Sequence, residues 1–129
     1  MKESAGKISK SSSKWIHPYP DHPSDELKIR LLLDEKIKGN RIIGLEAKID
    51  PGKIHQLHMN KNEYVLVYTI QGRCKVTIGK KTQVILPKTM IFLPPKVPHR
   101  FENHTKTKWE GVAFAIGTKS KIKNIWMDE

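Results

Sequence analysis

Cysteine is almost missing from this chain: of 129 residues only Cys74 carries a thiol, so no internal disulfide and no cysteine-built zinc module can form. That scarcity fits a reducing, cytoplasmic setting. Long apolar stretches are missing too. No run approaches the roughly 20 residues a membrane helix needs, and Met1-Lys2-Glu3-Ser4-Ala5-Gly6-Lys7 leads into Ser11-Ser12-Ser13-Lys14, not into the apolar centre of a secretion signal. No transmembrane or secretory segment is therefore expected. Acidic residues are scarce: 13 Asp and Glu stand against 24 Lys and Arg, a formal charge of +11. The charge favours anionic partners without naming one. Twenty lysines to four arginines, with no recognition helix, zinc finger or aromatic-basic RNA motif, make a poor nucleic-acid reader.

Helical periodicity is lacking as well. At 14.9 kDa there is material for one domain. Residues 1–14 are serine-rich, with four Lys, one Glu and little besides Ile8 to bury, and read as a disordered basic tail. Without them 20 basic residues still face 12 acidic ones, so the domain at 15–129 keeps most of the charge. Within it, Trp15 to Pro23 holds three prolines in nine residues, which predicts an extended arm over 15–26. The rest, a core at about 27–117, consists of short β-branched runs separated by turns: Leu27–Leu33, Arg41–Ile49, Tyr64–Ile70, Cys74–Ile78, Thr82–Leu86, Met90–Leu93 and Gly111–Ile116. This pattern predicts an all-β antiparallel sandwich or barrel.

Two segments narrow the reading. The first runs from Pro51-Gly52-Lys53-Ile54-His55-Gln56-Leu57-His58-Met59-Asn60 through Glu63 to Gly72, and the second is Pro94-Pro95-Lys96-Val97-Pro98-His99-Arg100-Phe101-Glu102-Asn103. Together they resemble the two signatures of the cupin superfamily, G-x5-H-x-H-x(3,4)-E-x6-G and G-x5-P-x-G-x2-H-x3-N. Gly52 precedes His58 by the required gap, Gly72 closes the first segment, and Pro94, His99 and Asn103 keep the second spacing. The resemblance implies a small single-domain cupin: a double-stranded β-helix, or jelly-roll barrel, with its ligand site inside. It also implies a homodimer, paired through sheet edges and N-terminal arms.

Cupin metal sites generally use three His and one Glu. Here His58 fills the first ligand place and His99 the last, but Asn60 stands where the second His is expected and Val65 where the Glu is expected. Valine has no lone pair, and an amide oxygen is a weak ligand for transition metals. Glu63 shares Val65's strand face, displaced along it by about 6.6 Å at about 3.3 Å per residue, so a shifted metal site would use His58, His99, Glu63 and Asn60 to hold Zn, Fe, Ni or Mn. Without metal, Gln56, His58, Asn60 and His99 would form the polar floor of an apolar pocket lined by residues such as Met59 or Phe101, suited to a small polar or anionic molecule.

The alternative function is a metal-dependent enzyme of dioxygenase, isomerase or epimerase type acting on a small organic acid or sugar, with Tyr68 as candidate proton-transfer group. His55, three residues from His58, should lie on the opposite face of a regular strand. It reads, like His17, His22 and His104, as a surface or loop residue. Lys88 and Lys96 stand where the family shows glycine, which predicts altered turns. With Lys53 and Arg100 they could form a cationic rim.

Overall fold

The computed structural model describes residues 6–12, 14–117 and 124–127. Ten strands account for its regular structure: β1 Lys28–Ile37, β2 Asn40–Ile49, β3 Ile54–Asn60, β4 Tyr64–Gln71, β5 Cys74–Ile78, β6 Lys81–Ile85, β7 Met90–Leu93, β8 His99–Glu102, β9 Trp109–Gly117 and β10 Asn124–Trp126. No helix occurs among the described residues. They form two five-stranded sheets, β1-β2-β9-β4-β7 and β10-β3-β8-β5-β6, with all pairs antiparallel. The fold is the all-β jelly-roll barrel that the resemblance implies.

Alternation explains which side chains enter the barrel. On β4 the inward positions are Val65 and Val67, and across the β4–β9 register they meet Ala115 and Ala113, small residues that leave the interior open. The packed core collects at one end, where Ile49, Cys74, Val76, Leu93 and Trp109 are almost fully buried. Trp109 has its indole N–H 3.3 Å from the Thr69 hydroxyl, so even this polar atom is satisfied. Cys74 belongs to this core, and burial pushes its thiol up to about 12, which makes it inert.

The motif residues Gly72 and Asn103 serve the chain path. Gly72 has φ of +81°, and a Cβ there would collide with the Lys108 carbonyl. Asn103 is completely buried; its Nδ2 donates to the carbonyls of Ile49 and Thr107, each at 2.8 Å, and its Oδ1 accepts from Thr105. Its backbone also bonds to Gly52 and Lys53. The two signature segments are thereby tied to one another at the base of the barrel.

The arm lies along the outer edge strand. Ile16 forms an isolated bridge with Ile29, and Trp15 is sandwiched near Arg30 and Lys48, 4.1 and 4.9 Å from its ring centroid. Of the expected tail, residues 1–5 and 13 lie outside the described residues. Ser12 exchanges hydrogen bonds with the Leu31 backbone through its own N–H and hydroxyl, and Lys7 pairs with Glu35 at 2.6 Å.

The altered turns expected at Lys88 and Lys96 do not occur. Both lysines take the left-handed conformation, with φ of 68° and 64°, so the glycine-type turns are kept and the side chains bear the steric cost of about 1–2 kcal/mol each. The Lys88 N–H bonds the Thr69 carbonyl and the Lys96 N–H bonds that of Asn60, which holds the backbone in place. Lys88→Gly and Lys96→Gly should each raise unfolding free energy by about 0.5–1 kcal/mol, the relieved strain less the added freedom of the unfolded chain. Urea denaturation of the single variants checks this, and a loss of stability in both would contradict it.

Candidate functional site

A cavity of about 810 Å3 opens inside the barrel, within the usual range for small-molecule sites. Its walls are aliphatic and aromatic: Leu27, Leu45, Ile49, Val65, Val67, Leu93, Phe101 and Trp109 are among them. Its polar end holds His55, His58, Asn60, His99, Tyr19 and Asn124. Val65 occupies the wall where a cupin ligand carboxylate is expected, so the barrel is apolar there.

The polar end depends on an irregularity in β3. Opposite β8, His55 pairs with Phe101 and His58 with His99, so three steps on β3 span two on β8. This bulge, an extra residue in one strand, turns His55 to the same side as His58. The expectation of an outward His55 fails for that reason: its ring is 7% exposed in the residue as a whole and lies 4.4 Å from the His58 ring, which in turn lies 4.2 Å from that of His99. Counting alternation cannot detect a bulge.

Asp25 stabilises the irregular backbone. Its carboxylate accepts hydrogen bonds from the backbone N–H groups of Gln56 and Leu27 and from His55 Nδ1 at 2.9 Å. Burial alone would raise this acid, but the hydrogen bond and charge of His55, with the Gln56 and Leu27 N–H groups, outweigh it and hold Asp25 below its usual range. Tyr19 of the arm stacks on His55, centroids 5.7 Å apart and nearly parallel, and Asn124 of β10 lines the same end of the cavity. Farther out His22 stacks on Trp126 at 4.0 Å and bonds Gln56 Oε1 at 2.6 Å. Asp25, Tyr19, His55 and Asn124 were not picked out as site residues by the sequence; the aromatic arm was the one signal pointing to this corner.

Both signature histidines have a determined tautomer. His58 Nδ1 lies 2.7 Å from the Gln56 carbonyl and His99 Nδ1 lies 2.9 Å from the Val97 carbonyl. A carbonyl only accepts, so each Nδ1 carries the proton and each neutral ring presents Nε2 as an acceptor. Burial, reinforced by His55 and His99, pushes His58 down to about 2, and burial pushes His99 down to about 4. Asn60 donates its Nδ2 to Asn124 Oδ1 at 2.9 Å, which leaves its own Oδ1 as a third acceptor.

Other expected site residues do not reach the cavity. Tyr68 alternates with Val67, faces outward and is 38% exposed, so it cannot move a proton inside the barrel. Gln56 turns to His22 and Ser24, and Met59 points away between His58 and Asn60, opposite Ile125. Glu63 is buried beside Gly117, with Oε2 accepting the Asn62 N–H, and does not line the cavity. The family's four-ligand metal set does not fit these side chains. Among the described residues no group of three or more His, Cys, Asp or Glu is arranged to hold a metal ion.

The cationic rim is absent too. Among the described residues no Lys or Arg lines the cavity, and Asp21 stands at its edge. Lys53 instead pairs with Glu26 at 3.4 Å and Arg100 with Glu102 at 2.8 Å on the outside.

The family model of the AraC-like ligand binding domain matches residues 45–116, from the second half of β2 to all but the last residue of β9. The chain belongs to that family. An uncharacterized protein of Methanocaldococcus jannaschii is 32% identical to this AraC-like domain over 98 residues, 75% of this chain and 77% of that one. Among solved structures, a cupin 2 conserved barrel domain protein from Rhodopseudomonas palustris has a TM-score of 0.70 at 12% identity, covering 88% of this chain and 76% of its own. An uncharacterized double-stranded β-helix protein from Klebsiella pneumoniae reaches 0.68, again at 12% identity, over 87% and 91%. At such identities these neighbours speak for the fold, and they bear out the cupin resemblance. No helix among the described residues is long and apolar enough to cross a membrane.

The buried imidazoles make stability depend on pH. Unfolded, they titrate near 6.5, whereas in the barrel they stay neutral to about 4 and about 2. As pH falls below 6.5 the unfolded chain binds protons that the folded chain refuses, so stability should drop towards pH 4 by about 1.4 kcal/mol per unit for each histidine. The loss from Asp25, whose folded pKa is lowered, begins only near its ordinary 3.8. Urea denaturation at pH 7.5, 6.0 and 5.0 measures the slope, and His99→Leu should roughly halve it.

Proposed function

We infer that this AraC-like domain is a binding module for a small, neutral molecule bearing hydroxyl groups, taken up inside the barrel. The observation that carries this reading is the commitment of both Nδ1–H groups to backbone carbonyls. His58 Nε2, His99 Nε2 and Asn60 Oδ1 then form a floor of acceptors, complementary to a ligand that donates. The apolar walls take the ligand's carbon face, a usual division of labour in small-molecule sites.

An anionic ligand fits this cavity poorly. A carboxylate would be desolvated with no lysine or arginine lining the described cavity to meet it, and uncompensated burial of a charge costs several kcal/mol. Acceptors on the floor would add repulsion. Among the described residues the lysines and arginines lie away from the cavity lining, so the positive surplus of the sequence is not what a ligand meets there. The metal-dependent enzyme asks for donors at positions 60 and 65 stronger than the amide and the isopropyl group found there, and Tyr68 stands outside. Zinc, iron, nickel and manganese consequently serve as competitors in the test.

The test is a thermal-shift screen followed by calorimetric titration of neutral polyols and monosaccharides, short carboxylic acids and the four divalent metals. Neutral hydroxylated compounds should raise Tm, and His99→Leu or Asn60→Leu should weaken their binding about tenfold, the worth of one hydrogen bond of about 1.4 kcal/mol. Binding of the acids alone would overturn the reading. So would near-stoichiometric metal in protein purified without chelator that disappears in the His58→Ala/His99→Ala variant.

A further inference from the structure

Each sheet ends in a short strand with one open side. The strand orders stop at β7 in the first sheet and at β6 in the second, and among the described residues β6 pairs only with β5 and β7 only with β4. Between these two edges lies a groove of about 600 Å3 that shares no lining residue with the barrel cavity. Val76, Ile78, Ile85 and Ile91 form its floor, and Met90 and Phe92, 61% and 57% exposed, stand at its β7 lip. On the β6 side Thr82-Gln83-Val84-Ile85-Leu86 contains no charge and no proline, and its pairing with β5 has no bulge. Those are the devices by which edge strands ordinarily refuse a neighbour.

Charge around the groove is of one sign. From Tyr64 to Phe101 the bases are Arg73, Lys75, Lys80, Lys81, Lys88, Lys96 and Arg100, and the segment holds no Asp or Glu. Lys81 lines the groove, Lys80 precedes it, and Lys88 sits in the turn that carries the chain from β6 to β7. None of these three lysines is in an ion pair among the described residues.

We propose that this groove takes an extended peptide of alternating apolar and acidic residues, added to the second sheet as a strand beside β6. The open edge offers main-chain hydrogen bonds, and alternation sends every second side chain onto the apolar floor. Carboxylates on the remaining residues and at the segment's ends meet the lysines. With five residues in β6, the matching segment is about five to seven residues long. Charge selects this occupant over a second copy: two β6 strands set antiparallel would bring Lys80 and Lys81 of one toward Lys88 of the other, a like-charge contact that destabilises strand pairing. A nucleic-acid backbone would meet the lysines but could not continue the ladder of β6.

The probe is a capped heptapeptide that alternates glutamate and valine, with a counterpart carrying lysine for glutamate. Amide NMR spectra of the full 15N-labelled chain locate the contact, and fluorescence anisotropy of the labelled peptide measures it. Amide shifts should concentrate on β5, β6 and β7, binding should weaken as salt rises, and the lysine peptide should not bind. Lys81→Glu should weaken binding about tenfold by reversing a close charge contact. Lys36→Glu, the same change in net charge on β1 at the far edge of the first sheet, should leave it unchanged. Phe92→Ser, at an exposed position, should also weaken binding while the melting curve stays cooperative. No binding at 1 mM, equal binding of the two peptides, or shifts centred on the barrel cavity would each overturn the proposal. So would β6 and β7 shifts that depend on protein concentration without peptide, the mark of a second copy, or tighter binding of an oligothymidylate at the same amides.

Discussion

The Asp25 carboxylate, buried where the arm turns into β1, meets the backbone N–H groups of Gln56 and Leu27 and the ring of His55. A buried charge is tolerated only when such donors surround it, and here two of the three, those of Gln56 and His55, belong to the one stretch of β3 that departs from regular pairing. The polar end of the cavity follows from that contact. Because the bulge is held, His55 joins His58 on the inner face, Tyr19 finds a ring to stack on, and the arm is drawn over the barrel.

Electrostatics divides the molecule into two regimes. Outside, lysines and arginines dominate and pair locally with acids, as Arg41 does with Asp34 at 2.6 Å, contacts of small individual worth in water. Inside, burial suppresses charge: two imidazoles are kept neutral, and the described lining contains no lysine or arginine. A formal charge of +11 is thus compatible with a cavity suited to an uncharged ligand. The fold supplies the walls common to its family, while the side chains at positions 60 and 65 remove the means of holding a metal in the usual way.

Much of the architecture was legible because strands broadcast themselves by alternation and turn residues. Cys74–Ile78 and Met90–Leu93 coincide with β5 and β7, and Tyr64–Ile70 differs from β4 by one residue. β3, β8 and β10 were not among the runs read by pattern: the bulge breaks the alternation of β3, the prolines at 94, 95 and 98 mask the start of β8, and three residues give β10 too little periodicity. At the site, His58, Asn60, His99 and Phe101 fall on the cavity wall. Tyr68 and Met59 do not, because each sits one residue off the inward register. Glu63 misses the wall because β4 starts after it, with its side chain packed against Gly117. Lys88 and Lys96 were read as departures from glycine turns, whereas hydrogen bonds from their N–H groups keep the turns and place the strain in the residues themselves.

The sequence by itself determined an all-β pattern, two signature segments of a cupin barrel, the absence of a full metal-ligand set, and the surplus of positive charge. These are properties of residue type and spacing, which the chain carries before it folds. Tertiary structure alone decided that His55 faces inward, that Asp25 supports it, that both imidazoles present acceptors, and that no described lysine lines the cavity. Each depends on which backbone group stands opposite which side chain. A bulge, a carbonyl beside a ring nitrogen or a stacked arm residue is a relation between segments distant in sequence, and local pattern contains no record of it.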